Sequence, residues 1–134
     1  MLKRFVYQIV WFLLAVCAAF PVAVQERLPG WTRCEDVLSP DVQIGGCTAV
    51  IQSSRDTAAD RAIAYNNRGV AYRDKGDVDR AIADFSEAIK VDPILARAYH
   101  NRGIAYRAKG DLSRAVADQE VAIKLDPIYG VVNR

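Results

Sequence analysis

The chain has 134 residues, 51% of them apolar and 25% charged, a composition typical of a folded protein with one modest domain and unlike that of a disordered chain. Its 18 basic and 16 acidic residues give a formal charge of +2. Export with loss of the N-terminal stretch would remove Lys3 and Arg4 and leave 16 residues of each sign, a balance that argues against a nucleic-acid partner.

The N-terminal stretch, residues 1–25, reads MLKRFVYQIVWFLLAVCAAFPVAVQ. Lys3 and Arg4 precede an apolar run over residues 9–20, and Pro21 follows among small residues. This layout is typical of a secretory signal peptide. We expect cleavage near Gln25 and a mature protein that is periplasmic or secreted.

An uncleaved membrane anchor is the alternative for the same stretch. Residues 5–24 are nearly long enough to cross a bilayer, and only Gln8 is clearly polar among them. The rest of the chain would then face the outside of the cytoplasm, and this is the one case in which we expect contact with a membrane. Lipid attachment at Cys17 is disfavoured because Val16 stands where lipoprotein motifs usually have a small residue.

Two cysteines, Cys34 and Cys47, would remain after export. A compartment outside the cytoplasm permits disulfides, so the main prediction is a bridge between them, with two free thiols as the alternative. A metal site would need further ligands, and the single histidine, His100, is distant in sequence. A redox site would usually have two residues between its cysteines, and here there are twelve.

An internal repeat dominates the second half of the chain. The phrase NRGVAYRDKGD at residues 67–77 returns as NRGIAYRAKGD at residues 101–111, an offset of 34. Between residues 64–94 and 98–128, roughly two positions in three are identical at this offset, which indicates a repeat architecture.

Each copy predicts two helices. In the first copy, a helix runs from residue 62 to about residue 75 and ends at Gly76, Asp77 caps a second helix, and this helix stops before Pro93. Gly69 and Gly103 stand inside the first helix of each copy, where glycine costs about 1 kcal/mol relative to alanine. A close helix crossing is the expected compensation.

The repeat resembles the tetratricopeptide repeat family, in which aromatic, glycine, small and proline residues recur over 34 positions. The matching residues are Tyr65, Gly69, Tyr72, Ala81, Phe85 and Pro93 in one copy, and Tyr99, Gly103, Tyr106, Ala115 and Pro127 in the other. Arg68 and Arg102 depart from the family by replacing its leucine, and Gln119 stands in the place of Phe85. The resemblance implies an all-α fold of antiparallel helix pairs, a short α-solenoid.

A third, degenerate unit is predicted ahead of the two copies. Residues 41–52, DVQIGGCTAVIQ, align with residues 79–90 at an offset of 38, which puts Cys47 in the place of Phe85. A bridge to Cys34 would then fasten the preceding segment across this helix. The expected organisation is a signal or anchor at 1–25, a degenerate segment at 26–60, repeats at 61–95 and 96–129, and a tail at 130–134, an arrangement that resembles small exported bacterial proteins of this family.

The sequence offers no candidate catalytic residue, cofactor site or metal site. His100 lacks a neighbouring nucleophile, and acidic pairs such as Asp77 with Asp79 are typical of helix caps. There is no glycine-rich phosphate loop and no zinc or calcium spacing. We therefore expect a protein that is not an enzyme.

The resemblance implies instead a peptide-binding or protein-binding groove along the first helices. Its candidate residues are Asn66, Asn67, Val70 and Arg73 in one copy, and His100, Asn101, Ile104 and Arg107 in the other. Asparagines could fix a peptide backbone and arginines could meet carboxylates. The expected function is that of an adaptor or scaffold; the same residues could also form a plain solvated surface.

The C-terminal end suggests a different class of function. The sequence after residue 127 is short for a polar capping helix, so Val116, Ile123 and Leu125 on the second helix of the last repeat are expected to expose apolar surface. Self-association or a partner would cover this surface. The alternative to an adaptor is thus a structural subunit that forms a homo-oligomer through this helix or is held at the membrane by residues 1–25.

Overall fold

The computed structural model describes residues 28–35 and 39–131. The predicted signal or anchor, residues 1–25, lies outside the described residues. The described part contains seven helices and no strand, which confirms the predicted all-α fold. In chain order these are α1 (Leu28–Cys34), α2 (Pro40–Gln52), α3 (Ala58–Asp74), α4 (Val78–Val91), α5 (Ala96–Ala108), α6 (Leu112–Leu125) and α7 (Ile128–Val131).

Each repeat is a helix hairpin, α3 with α4 and α5 with α6. The turn between α3 and α4 depends on Gly76, whose φ of +81° is accessible to glycine without strain. The amides of Gly76 and Asp77 donate to the carbonyls of Arg73 and Tyr72 at 2.8 and 2.9 Å, and so satisfy the last carbonyls of α3. Gly110 does the same after α5.

The helix starts are fixed by side-chain caps. Asp77 and Asp111 accept from the amides three residues on, as predicted for Asp77. Helix α3 begins four residues before the predicted start at residue 62. There Thr57 and Asp60 form a capping box, in which each side chain accepts from the other residue's backbone amide.

Small side chains bring the paired helices close together. Ala81, Ala88 and Phe85 of α4 are fully buried, and the ring of Phe85 lies against Gly69 of α3. A Cβ atom at Gly69 would lie 2.6 Å from Phe85 Cε1. The predicted close crossing at this glycine is confirmed.

The N-terminal end of the array is closed by α1, which packs on α2. The Sγ atoms of Cys34 and Cys47 lie at disulfide distance, and both residues are fully buried. Gly46 of α2 allows α1 to pack closely against it, because a Cβ atom at Gly46 would clash with Arg33. The indole nitrogen of Trp31 donates to Asp56 at 3.1 Å, which ties α1 to the loop before α3.

Candidate functional site

An arginine clamp connects each repeat to the helix before it. Arg102 of α5 donates from Nε and Nη2 to the two carboxylate oxygens of Asp118 in α6, at 2.7 and 2.8 Å. Its Nη1 donates to the hydroxyl of Ser86 in α4 at 3.1 Å. One side chain therefore joins three consecutive helices.

The same clamp recurs one unit earlier. Arg68 of α3 donates to both oxygens of Asp84 at 2.8 Å, and to the hydroxyl of Thr48 in α2 at 3.0 Å. Thr48 lies 38 positions before Ser86, the offset at which the degenerate unit was aligned. Helix α2 thus presents to α3 the same kind of contact that α4 presents to α5.

Aromatic rings complete the surroundings of each arginine. The guanidinium carbon of Arg102 is 5.8 Å from the ring centroids of both Tyr99 and Tyr106. The hydrogen bonds to Asp118 raise the pKa of Arg102 above its ordinary value, so the side chain stays charged. This environment explains physically how arginine can occupy the family's leucine position.

The first helices of the two hairpins, α3 and α5, which we call the inner helices, contact each other through asparagines. The second helices, α4 and α6, are the outer helices. The side-chain amide of Asn101 donates to Asn66 Oδ1 at 2.9 Å, and Asn66 donates to Asn67 Oδ1 at 3.3 Å. Asn66 is only 3% exposed, whereas Asn67 and Asn101 are half-buried. Three of the predicted groove residues thus lie together, with Asn66 engaged between the repeats.

His100 lies against the end of the array. Its Nδ1 is 3.0 Å from Gln119 Oε1 in α6, and its ring centroid is 4.8 Å from that of Tyr129 in α7. Gln119 also donates to the Tyr129 carbonyl at 3.0 Å. Gln119 therefore replaces the apolar contact of Phe85 with hydrogen bonds that hold α7.

The remaining predicted groove residues occupy matching places on the two helices. Val70 is half-buried and packs on the cluster around Phe85, and Ile104 is half-buried at the equivalent position of α5. Arg73 is half-buried and pairs with Asp74 at 3.0 Å, while Arg107 is exposed. Both arginines can be reached from solvent.

The acidic members of the clamps, Asp84 and Asp118, are not among the residues predicted from the sequence. Asp84 and Asp118 are 6% and 7% exposed, and each lies 16 residues after its arginine. A signal was present, because both copies replace an apolar family position by arginine and both keep an aspartate on the packed face of the next helix. A buried cation at such a position requires a buried anion.

No metal-binding cluster of three or more His, Cys, Asp or Glu residues occurs within residues 28–35 and 39–131. The helices of this part of the chain are too short or too polar to cross a membrane. The described helices are joined by buried ion pairs and side-chain hydrogen bonds, and residues related by the offset of 34 lie at matching places on α3 and α5.

Comparison with known families agrees with the repeat geometry. A model described as a TPR repeat matches residues 69–110, and a model described as a tetratricopeptide repeat matches residues 96–129. A comparison with curated proteins gave no match. Repeats of this kind generally mediate protein–protein interactions. The repeat region of this chain belongs to the tetratricopeptide repeat family.

Proposed function

We propose that the protein is a non-catalytic adaptor that binds a peptide or another protein on the surface formed by α3 and α5. The inner surface, as we call it, consists of residues that are at least partly exposed and recur at an offset of 34: Asn67, Val70, Arg73, Asn101, Ile104 and Arg107. The observation that carries the proposal is the direct contact between the two helices at Asn66 and Asn101, which makes these residues one continuous surface.

The inner surface combines the groups that recognise a polypeptide. The amides of Asn67 and Asn101 can both donate and accept hydrogen bonds. Val70 and Ile104 offer apolar contact, and the guanidinium groups of Arg73 and Arg107 suit carboxylates. Asn66 and His100, also predicted groove residues, contribute by holding the neighbouring helices in place.

The proposal places the protein outside the cytoplasm. Two observations support this location, the apolar N-terminal stretch behind Lys3 and Arg4 and the buried pair Cys34 and Cys47 at disulfide distance. A disulfide persists in an oxidising compartment such as the periplasm or the extracellular space. Cell fractionation followed by the intact mass without reductant tests both points, since cleavage shortens the chain and the bridge removes two hydrogens.

Site-directed photo-crosslinking in the producing cell tests the binding surface. A photoreactive residue is placed at Val70 or at Ile104, on the inner helices. Matched controls carry it at Ala83 or Ala117, exposed positions of the outer helices α4 and α6 that are also related by the offset of 34. We expect the two inner positions to form the same cross-linked product, of defined mass, and the two outer positions to form none.

The result that would contradict the proposal is equally specific. Cross-links of equal yield from Ala83 and Ala117, or none from Val70 and Ile104, would contradict binding on the inner surface. A product with the mass of two copies of the chain would replace the adaptor by a self-assembling subunit.

A further inference from the structure

Three helices carry the same face on the side that points toward the C-terminal end of the array. The face consists of two apolar residues with a polar residue between them, at i, i+4 and i+7 on one side of a helix. It is Ile44, Thr48 and Ile51 in α2, Ile82, Ser86 and Ile89 in α4, and Val116, Glu120 and Ile123 in α6.

The first two faces are covered by a helix that carries an arginine. Helix α3 covers α2, where Ile51 packs on the cluster that includes Ala64, and Arg68 donates to Thr48. Helix α5 covers α4, where Ile82 packs on the cluster that includes Ala105, and Arg102 donates to Ser86. The two interfaces therefore use the same chemistry.

The third face, the α6 stripe of Val116, Glu120 and Ile123, is exposed within residues 28–35 and 39–131. Val116 is 59% exposed and Ile123 is 37% exposed. Among the described residues α7 reaches this end of the molecule, and a Cβ at Gly130 would touch Ile123 at 3.5 Å. Helix α7 begins at Ile128, the repeat equivalent of Ile94 just before α5, and its four described residues take the place of the first turn of a covering helix.

Glu120 determines which kind of helix fits the stripe. It stands where Thr48 and Ser86 accept a hydrogen bond from arginine, and a carboxylate accepts from a guanidinium more strongly than a hydroxyl does. It also opposes pairing of two copies through this face. In a twofold antiparallel pair, Glu120 of one copy would lie near Glu120 of the other copy, and the two carboxylates would repel each other.

We propose that the α6 stripe docks a helix of another protein, one with apolar residues at helical spacing and an arginine that pairs with Glu120. The partner helix would sit on α6 as α5 sits on α4. This surface is separate from the inner surface, and the proposal does not rest on the adaptor function.

A titration with a defined peptide tests the proposal. The probe has the sequence of residues 94–109, which contains α5, and a chemical staple on the face opposite Arg102 keeps it helical. Backbone NMR shifts of the isotopically labelled chain are followed as the probe is added. We expect saturable shifts at Val116, Glu120 and Ile123, and about 5-fold weaker binding for the Arg102→Gln version of the probe, as for an exposed ion pair.

A charge exchange is the matched control. The Glu120→Arg chain should bind the original probe more weakly, and the Arg102→Glu version of the probe should restore binding to this variant. Glu120 is exposed, so we expect the variant to keep its fold, and its circular dichroism and unfolding transition verify this.

Three outcomes would overturn the proposal. Shifts confined to the inner surface would place the probe elsewhere, and a charge exchange without recovery would show that Glu120 does not pair with the arginine. A concentration-dependent dimer in sedimentation, abolished by Val116→Asp, would identify a second copy as the occupant of the stripe.

Discussion

Arg102 shows how a single residue can link successive repeats. A charged group at an apolar position is costly to bury, and only good hydrogen-bond geometry offsets that cost. Asp118 supplies two parallel hydrogen bonds, Ser86 supplies a third acceptor, and two tyrosine rings lie near the guanidinium. Since these groups come from three helices, the clamp specifies which helix packs on which.

Breaking one side of the clamp should be more harmful than removing both. Arg102→Leu restores the family's residue but leaves Asp118, 7% exposed, without its cation. We expect a loss of about 3 kcal/mol in the free energy of unfolding. Arg102→Leu with Asp118→Leu should recover most of it, because no uncompensated charge remains. Urea unfolding of the three proteins measures this, and equal stability of Arg102→Leu and the parent would contradict the role of the clamp.

Two glycines in helices should respond to alanine in opposite ways. Gly69→Ala gains helix propensity but forces its Cβ against the Phe85 ring, and overpacking of a core costs about 1–3 kcal/mol. Gly45 of α2 is exposed, with open space where a Cβ would be. Gly45→Ala should therefore stabilise the protein by about 1 kcal/mol. Thermal unfolding compares the two, and a stabilising Gly69→Ala would refute the close crossing.

At this scale the sequence predicted the packing role of Gly69 but not the clamp partners. A glycine inside a helix is unusual by itself, so its role can be inferred locally. The pairing of Arg68 with Asp84 depends on how α3 and α4 cross. Spacing along one helix cannot show that crossing.

At the scale of the elements, the caps of α4 and α6 are sensitive to acid. The pKa of Asp77 is lowered by its hydrogen bond from the Arg80 amide and then by the Arg80 side chain, and Asp111 is affected in the same way by Arg114. Carboxylates with lowered folded-state pKa values stabilise the fold above the unfolded-state pKa, about 3.9. This stabilisation is lost as the pH falls through the folded-state pKa.

Replacing both caps by asparagine should flatten the acid side of the stability profile. Asparagine caps a helix about as well as aspartate but does not titrate. Between about pH 5 and pH 2, the free energy of unfolding should fall less steeply in Asp77→Asn/Asp111→Asn than in the parent. Denaturant unfolding at several pH values measures the slopes, and identical slopes would mean that these carboxylates do not contribute.

The cysteine pair should stabilise the attachment of α1. The two residues are 13 positions apart, and closing a loop of about that length contributes about 3 kcal/mol. We expect a reductant to lower the unfolding temperature of the parent and to leave Cys34→Ala/Cys47→Ala unchanged. A parent protein with the same unfolding temperature in both conditions would contradict this role.

Helix ends were predictable where the sequence has clear capping or helix-breaking residues. Gly76 and Asp77 predicted the turn before α4, and Pro93 predicted its end. The structure has α4 from Val78 to Val91, between these residues. The start of α3 was missed because the Thr57 and Asp60 box was not recognised. Helix α1 could not be read from the sequence, since seven residues that include Pro29 and Gly30 depend on packing against α2 for their stability.

At the scale of the whole molecule, the 34-residue repeat determines the helix hairpins, and departures from the repeat pattern distinguish the two ends of the array. The offset of 34 predicted the hairpins, and at the offset of 38 Thr48 of α2 and Ser86 of α4 each accept a hydrogen bond from an arginine of the next helix. The atypical ends differ in kind. The N-terminal end is covered by α1 and the cysteine pair, and the C-terminal end carries the exposed α6 stripe beside α7.

The two proposed binding surfaces lie on different helices. The inner surface lies along α3 and α5, whereas the α6 stripe lies at the end of the array. Which residues line each one depends on the contacts between helices. Asn66 and His100, two of the predicted groove residues, contact neighbouring helices, Asn66 through Asn101 and His100 through Gln119.

The most direct measurement of the central claim is the affinity of the full chain for the purified protein identified by cross-linking. Arg73→Glu/Arg107→Glu changes the inner surface, and Lys90→Glu/Lys124→Glu makes the same change of charge at exposed, repeat-related positions of α4 and α6. We predict at least a tenfold loss of affinity, about 1.4 kcal/mol, for the first variant and less than a twofold change for the second. Equal losses in both, or an unchanged affinity in the first, would contradict binding on the inner surface.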